Sequence, residues 1–584
     1  MTVSIPRRTL LRSGALGLAG LGLGRFVPAW AQSGTMGTAA SSPLSGLSGD
    51  EITLRVAHSP FTVGGRSGHA VTINGTLPAP LLRLREGQRV RIHVDNALDE
   101  DTSIHWHGLL VPFQMDGVPG VSFPGIRPGA RFTYDFPIIQ SGTYWYHSHS
   151  GLQEPMGHYG PIIIDPAEPD PIAYDREHVI VLSDWSFLHP HRVMMRLKQE
   201  AGYFNRQRRT LLERAGHDAM PAADAAMFAQ MRMDPTDIAD VTGATYHYLI
   251  NGHGSAENWT GLFRGGERVR LRIINSASQT IFNFRIPGLA MTVVAADGQN
   301  VRSVEVDEFQ IGNAETYDVI VTPRDDRAYG IVAEAIDRSG MVTATLAPRL
   351  GMRAEAPPLR ARPLLTMTDM GMGGMAGMEG MDHAAMGHGG GEQSGGAPMQ
   401  HDMRDTRRVS FPVGPGVDMI ASMPIDRMDF PGIGLDSVEH RVLNYRQLAA
   451  LAPRKDAREP SRRIEVHLTG NMERFMWSLD GERLSENPEP YRFARDERVR
   501  MTFVNDSMMT HPMHLHGHFF ELVNGHGLHQ PMKHTVRVFP GGTASVDFTA
   551  DAPGDWVLHC HLLYHMHAGM MRVVTVRPID GVSA

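Results

Sequence analysis

The sequence predicts an all-β chain in which one sandwich or Greek-key barrel unit is used three times. Two observations carry this reading. Short runs rich in Val, Ile, Leu, Thr and Tyr, each closed by Gly, Pro, Asn or Asp, fill 50–165 and return over 178–346. A strand signature ending in Asn also occurs three times: Gly87-Gln88-Arg89-Val90-Arg91-Ile92-His93-Val94-Asp95-Asn96, Gly266-Glu267-Arg268-Val269-Arg270-Leu271-Arg272-Ile273-Ile274-Asn275 and Glu497-Arg498-Val499-Arg500-Met501-Thr502-Phe503-Val504-Asn505. Copies separated by about 180 and then about 230 residues fit a repeated unit.

The elements follow in chain order. Residues 1–31 read as a targeting leader: Arg7-Arg8, an apolar run over 10–23, then Ala29-Trp30-Ala31 as a small-x-small cleavage pattern. The run is short and broken by Gly14, Gly17, Gly20, Gly22 and Gly24, which argues against a membrane anchor. The twin arginines resemble the signal read by the Tat export machinery, and a mature chain would start near Gln32. The first unit spans 50–167, with strands expected at 81–84, 89–94, 131–136 and 160–164. Alternation in Val90-Arg91-Ile92-His93-Val94 implies a strand with one buried face. The second unit spans 175–350 and contains an insertion at 191–235, with helices expected over 192–214 and 222–233. A Met-, Gly- and His-rich segment at 366–403 lacks the aromatic and β-branched residues needed for a core, so it is expected to be loose unless it binds metal or packs on a domain. The third unit spans 440–579.

The chain has 584 residues and a formal charge of −8, so nothing in it suggests a nucleic-acid partner. It has 35 Met, 30 His and one Cys, which rules out an intrachain disulfide and suits soft-metal chemistry. The sharpest motif is His559-Cys560-His561-Leu562-Leu563-Tyr564-His565-Met566-His567-Ala568-Gly569-Met570. A blue-copper site takes a thiolate, two imidazoles and often a weak axial thioether; Cys560, His565 and Met570 offer three of these, and His511 fits as the fourth. On an extended strand, alternate side chains share a face, so His559 and His561 point away from Cys560. Copper on the Cys560 side would then be one residue away from a second centre.

Three more such pairs accompany it: His105/His107, His147/His149 and His514/His516. Eight imidazoles exceed the needs of one copper ion, although a structural zinc cluster is also compatible with them. The four motifs resemble those of multicopper oxidases. The leader, the Met-rich segment and the stretch 231–246, Met-Arg-Met-Asp-Pro-Thr-Asp-Ile-Ala-Asp-Val-Thr-Gly-Ala-Thr-Tyr, resemble the periplasmic copper-resistance, CopA-like branch.

That resemblance implies three cupredoxin-like domains and four copper ions. Type 1 copper would be held by His511, Cys560, His565 and Met570, and type 2 by His105 and His514. The type 3 pair would be held by His107, His147, His149, His516, His559 and His561. Electrons would enter at type 1, pass through Cys560 and reduce dioxygen to water. Asp116, in Met115-Asp116-Gly117, resembles an acidic residue that handles protons near type 2 copper; a turn-capping Asp before Gly is the plainer reading, and both can hold. Some relatives place a carboxylate directly after the residue matching His565, where this chain has Met566.

Met370, Met372, Met375, Met378 and Met381 can be read as a thioether collector for Cu(I), or as a flexible linker. The expected electron donor is therefore Cu(I), in copper tolerance, with periplasmic copper-handling proteins as possible partners. A laccase-like oxidase of phenols or aromatic amines and a non-enzymatic copper-binding protein are the alternatives.

Overall fold

The computed structural model describes residues 44–208, 220–372 and 409–578. Six sheets among the described residues form three two-sheet units. In the first unit Arg66–Ile73, Glu51–Val63, Arg89–Asn96 and Arg131–Pro137 make one sheet in that spatial order. Leu81–Arg85, Tyr159–Asp165, Gly142–His147 and His105–His107 belong to the other. Arg89–Asn96 buries Val90, Ile92 and Val94 and exposes Arg89 and Arg91, so its alternation sets which face meets the core. Those side chains pack with Leu82, Trp106, Tyr146 and Ile162 from the opposite sheet. The fold is cupredoxin-like and mainly β.

The threefold echo has a structural cause. Each copy runs parallel to the long strand of its own unit: Arg89–Asn96 beside Glu51–Val63, Val269–Asn275 beside Arg176–Trp185, and Arg498–Asn505 beside Arg462–Asn471. The closing Asn does the same work three times. Its Oδ1 accepts from the backbone N–H two residues on, that of Leu98, Ala277 or Ser507. Its Nδ2 donates to a carbonyl across the unit, that of Ile126, Ile311 or Val538. The backbone N–H beyond the strand end is thus satisfied, and the strand end is tied to a carbonyl across the unit.

Among the described residues the insertion is less helical than expected, and the part of the expected first helix over 209–214 lies outside them. Its first helix is Pro190–Gln199, begun by a proline and ended where Glu200 turns extended at φ −153°. The second is Ala222–Gln230, stopped before Arg232, whose φ is +59°. Residues 366–372 are also firmer than a loose segment. Asp369 accepts from Thr366 N–H at 2.8 Å and pairs with Arg427 at 2.5 Å, and a Cβ at Gly371 would lie 2.6 Å from the Ala421 side chain. No helix among the described residues is long and apolar enough to cross a membrane.

Candidate metal centre

Two strand pairs bring the eight imidazoles together. His105–His107 lies antiparallel to Gly142–His147, with His105 opposite His147. In the third unit His511–Leu515 lies antiparallel to Gly554–Cys560, with His514 opposite His559. The two pairs meet face to face: His105 stacks on His516 and His107 on His514, each with ring centroids 3.8 Å apart. Seven of the eight rings are buried and His149 is half-buried.

Several of the rings are steered by hydrogen bonds at their outer nitrogens. The Nδ1–H of His105 donates to the Asp116 carbonyl, that of His147 to Ser148, that of His514 to His534 and that of His559 to Cys560, at 2.7–3.0 Å. Because a carbonyl can only accept, these rings carry their proton on Nδ1 and turn a lone pair inward on Nε2. The inward Nε2 atoms of His105, His147, His149, His514 and His561, and Nδ1 of His107, are buried without a hydrogen-bond partner. His516 Nδ1 is 2.8 Å from Asp116 Oδ2, which leaves its Nε2 facing that of His559 at 3.1 Å. Two lone pairs at that distance repel unless a cation lies between them. Burial, with the neighbouring rings second, pushes His107, His147, His149, His514, His516 and His561 well below the ordinary imidazole range. Neutral imidazoles with convergent unpaired nitrogens are the form that binds metal, so the donor set fits copper. His105/His514/His516 and His149/His516/His559 each bring three donor atoms within 4.8 Å of one another.

The second donor set is His511, Cys560 and His565. Cys560 Sγ lies 3.5 Å from His511 Nδ1 and 3.9 Å from His565 Nδ1, and the two nitrogens are 3.2 Å apart. The chain turns back to make this set: after Cys560 it enters the short helix Leu563–Ala568, which returns His565 to the sulfur. Gly569 closes the helix at φ +130°, where a Cβ would meet the Trp477 carbonyl at 2.6 Å. Trp477 stacks on His565 at 3.9 Å. Met570 is fully buried in the same core, and its carbonyl accepts from Cys560 N–H. Burial pushes the Cys560 thiol up, so a bound cation is what would hold it as thiolate.

Asp116 is not only a turn residue. Its carboxylate reaches His516 and its carbonyl reaches His105, while Oδ1 is buried without a hydrogen bond, 3.4 Å from His105 Nδ1. Three polar residues at these centres escaped the sequence reading. Glu154 is buried with Oε2 2.7 Å from His147 Nδ1, and lines one small cavity with Met566, His559 and His561. It brings a carboxyl from the first unit to the side where Met566 has none. Asp240 Oδ2 lies 2.8 Å from His565 Nε2, and His534 Nδ1 lies 3.1 Å from His107 Nε2. Neither belongs to a histidine pair with alternate spacing, so periodicity gave no signal; Asp240 lay unmarked within the 231–246 stretch.

The methionines divide. Met375, Met378 and Met381 lie outside the described residues. Met370 and Met372 are buried with Met419 and Met508, against partly buried Met227, Met231, Met233 and Met472. Two Met-bearing stretches far apart in sequence thus share one thioether-rich core. It borders a cleft of about 670 Å³ whose walls include Met231, Met233, Met472, Met508, Asp237 and Glu473.

Comparison with known proteins agrees with this architecture. Three sequence models described as multicopper oxidase match residues 55–169, 176–349 and 457–580. The chain is 48% identical to a copper resistance protein A homolog from Pseudomonas syringae pv. tomato, over 98% of this chain and 100% of that one. It is 46% identical to copper resistance protein A from Escherichia coli, over 99% and 100%. Its fold resembles the crystal structure of Fet3p, described as a multicopper oxidase that functions in iron import, with TM-score 0.61, 20% identity and 91% of each chain covered.

Proposed function

We propose that this chain, which belongs to the multicopper oxidase family, oxidises Cu(I) at the expense of dioxygen in copper tolerance. Cys560, His511, His565 and Met570 would hold type 1 copper. His105 and His514 would hold type 2, and His107, His147, His149, His516, His559 and His561 the type 3 pair, four ions in all. Bound there, copper would supply one-electron acceptance at the cysteine site and the reduction of dioxygen to water at the histidine cluster.

The chain's own residues do the rest. The His559-Cys560-His561 backbone joins the two donor sets covalently, with the sulfur and each imidazole on adjacent residues. Asp116 touches the cluster through His516 and His105, so its carboxylate lies within hydrogen-bond reach of one cluster imidazole and close to a second, the placement a proton-handling carboxylate needs. Leader residues 1–31 would direct export to the periplasm through the Tat machinery, where copper-handling proteins would be partners.

The observation that carries Cu(I) as donor is the cleft beside Asp240. Thioethers and carboxylates line its wall, and Asp237 on that wall lies within electrostatic reach of Asp240, which contacts His565. Thioether sulfur prefers Cu(I) to hard cations. Changing Met231, Met233 and Met472 together to Leu keeps apolar bulk and removes the soft donors. Initial oxygen uptake at matched copper loading should then fall with Cu(I) and persist with dimethoxyphenol. Unchanged use of both donors would refute the cleft as the entry site. Met375, Met378 and Met381 changed to Leu form a separate arm for the collector role of 373–403.

A further inference from the structure

His107 differs from the other rings of the cluster in how it is held. Where His105, His147, His514, His516 and His559 tie Nδ1 outward, His107 turns Nε2 outward and leaves Nδ1 buried and unpaired. Its Nε2 meets two groups of the third unit, His534 Nδ1 at 3.1 Å and Thr535 Oγ1 at 3.3 Å. His534 Nδ1 and Thr535 Oγ1 are themselves 3.1 Å apart.

The holder is in turn held. Backbone N–H groups of His534 and Thr535 both donate to Asp297 Oδ2, at 3.2 and 3.1 Å, and Lys533 Nζ lies 3.0 Å from the same oxygen. Asp297 belongs to the second unit, His107 to the first and His534 to the third. Gly108 completes the fit: at φ +79°, a Cβ there would lie 2.5 Å from the His534 ring. The glycine after His-Trp-His is therefore required by the approach of His534 as well as by its own backbone conformation.

We propose that His534 is a positioning residue for the copper cluster: its Nδ1 accepts the Nε2 proton of His107 and so fixes the tautomer that aims Nδ1 of His107 at the metal. His107, His514 and His534 also bring three donor atoms within 4.8 Å of one another, but the nitrogens that His107 and His514 direct at His534 and its carbonyl are their proton-bearing, outward ones. That trio is a hydrogen-bonded outer layer, not a further copper site. An outer partner that fixes the tautomer of a metal-bound imidazole typically changes metal affinity by about 10–100-fold when removed.

The proposal rests on His107 being a copper ligand, so the experiment includes His107→Ala. Copper per chain, the visible type 1 band, and the EPR-detectable fraction of total copper are measured for wild type, His107→Ala, His534→Leu and His534→Asn. The expected result is a preserved type 1 band in His534→Leu, with lower copper content and a larger EPR-detectable fraction as the coupled pair is lost. His534→Asn, whose amide oxygen can accept the same proton, should recover most of both. Wild-type copper content and EPR fraction in His534→Leu would overturn the proposal. Equal losses in Leu and Asn, with the type 1 band lost too, would also overturn it, because the ring would then serve packing alone. Full copper content in His107→Ala would instead overturn the ligand assignment on which it stands.

Discussion

The outer units and the middle unit share a scaffold and differ in what is mounted on it. His105 and His514 stand nine residues beyond Asn96 and Asn505, and His107 and His516 stand eleven beyond. The same steps from Asn275 reach Phe284 and Ile286, both buried in apolar core. All three asparagines hold their strand ends alike, so the scaffold tolerates either imidazole or hydrocarbon at these positions. In the outer units the positions meet another unit and converge on a shared interior; in the middle unit they close its own core. The middle unit instead reaches the centres from outside, with Asp240 on His565 and Asp297 on His534. The histidine pairs therefore belong to a few positions on a repeated frame, and the copy without them lends carboxylates to residues of the third unit.

The largest expected effect falls in the third unit. Cys560→Ser should abolish the visible band and bring oxygen uptake to background, while most of the copper at the histidine cluster stays. Metal analysis with EPR checks this, and equal loss of every copper would erase the distinction between the two donor sets. In the first unit Asp116→Asn should slow oxygen reduction by on the order of 10²-fold, the usual range for a lost acid–base group. Transient kinetics should show type 1 copper reduced at the normal rate and reoxidised slowly.

The middle unit should respond through pH. Burial, with Asp240 and Asp234 next, pushes Asp237 up to about 7, against the pull of Arg208. Below that pH it is protonated and a poor ligand, so Cu(I) affinity should rise between about pH 6 and 8. Folding stability should move the opposite way. A carboxyl whose folded pKa is raised binds more protons when folded, and that stabilisation is lost as pH climbs from the ordinary carboxylate range to about 7. Asp237→Asn should flatten the Cu(I) profile, reduce the slope of the stability profile in part because Asp240 is also pushed up to about 7, and leave dimethoxyphenol oxidation unchanged.

The smallest effects separate frame from chemistry. Asn96→Ala, Asn275→Ala and Asn505→Ala should each cost about 1–3 kcal/mol, since each removes the Oδ1 that accepts from the backbone N–H two residues on. Denaturant titration should find similar losses in all three. Copper content should drop for the Asn96 and Asn505 variants only, because only those strand ends lead into histidine pairs.

The sequence by itself determined a good deal. Alternation in Val90-Arg91-Ile92-His93-Val94 set a one-faced strand, and the Asn-ended copies marked three units, because strand periodicity and strand-end hydrogen bonding are local. The alternate spacing of His559 and His561 likewise sent both imidazoles to the histidine cluster, although the strand itself ends at Cys560. Tertiary structure decided everything that depends on approach between distant segments. It made Met370 and Met372 part of a core with Met231 and Met233, where composition alone suggested a loose segment. It also selected Asp240, Glu154 and His534 from many similar residues, since an isolated Asp, Glu or His acquires a role only from what burial places within hydrogen-bond distance of it.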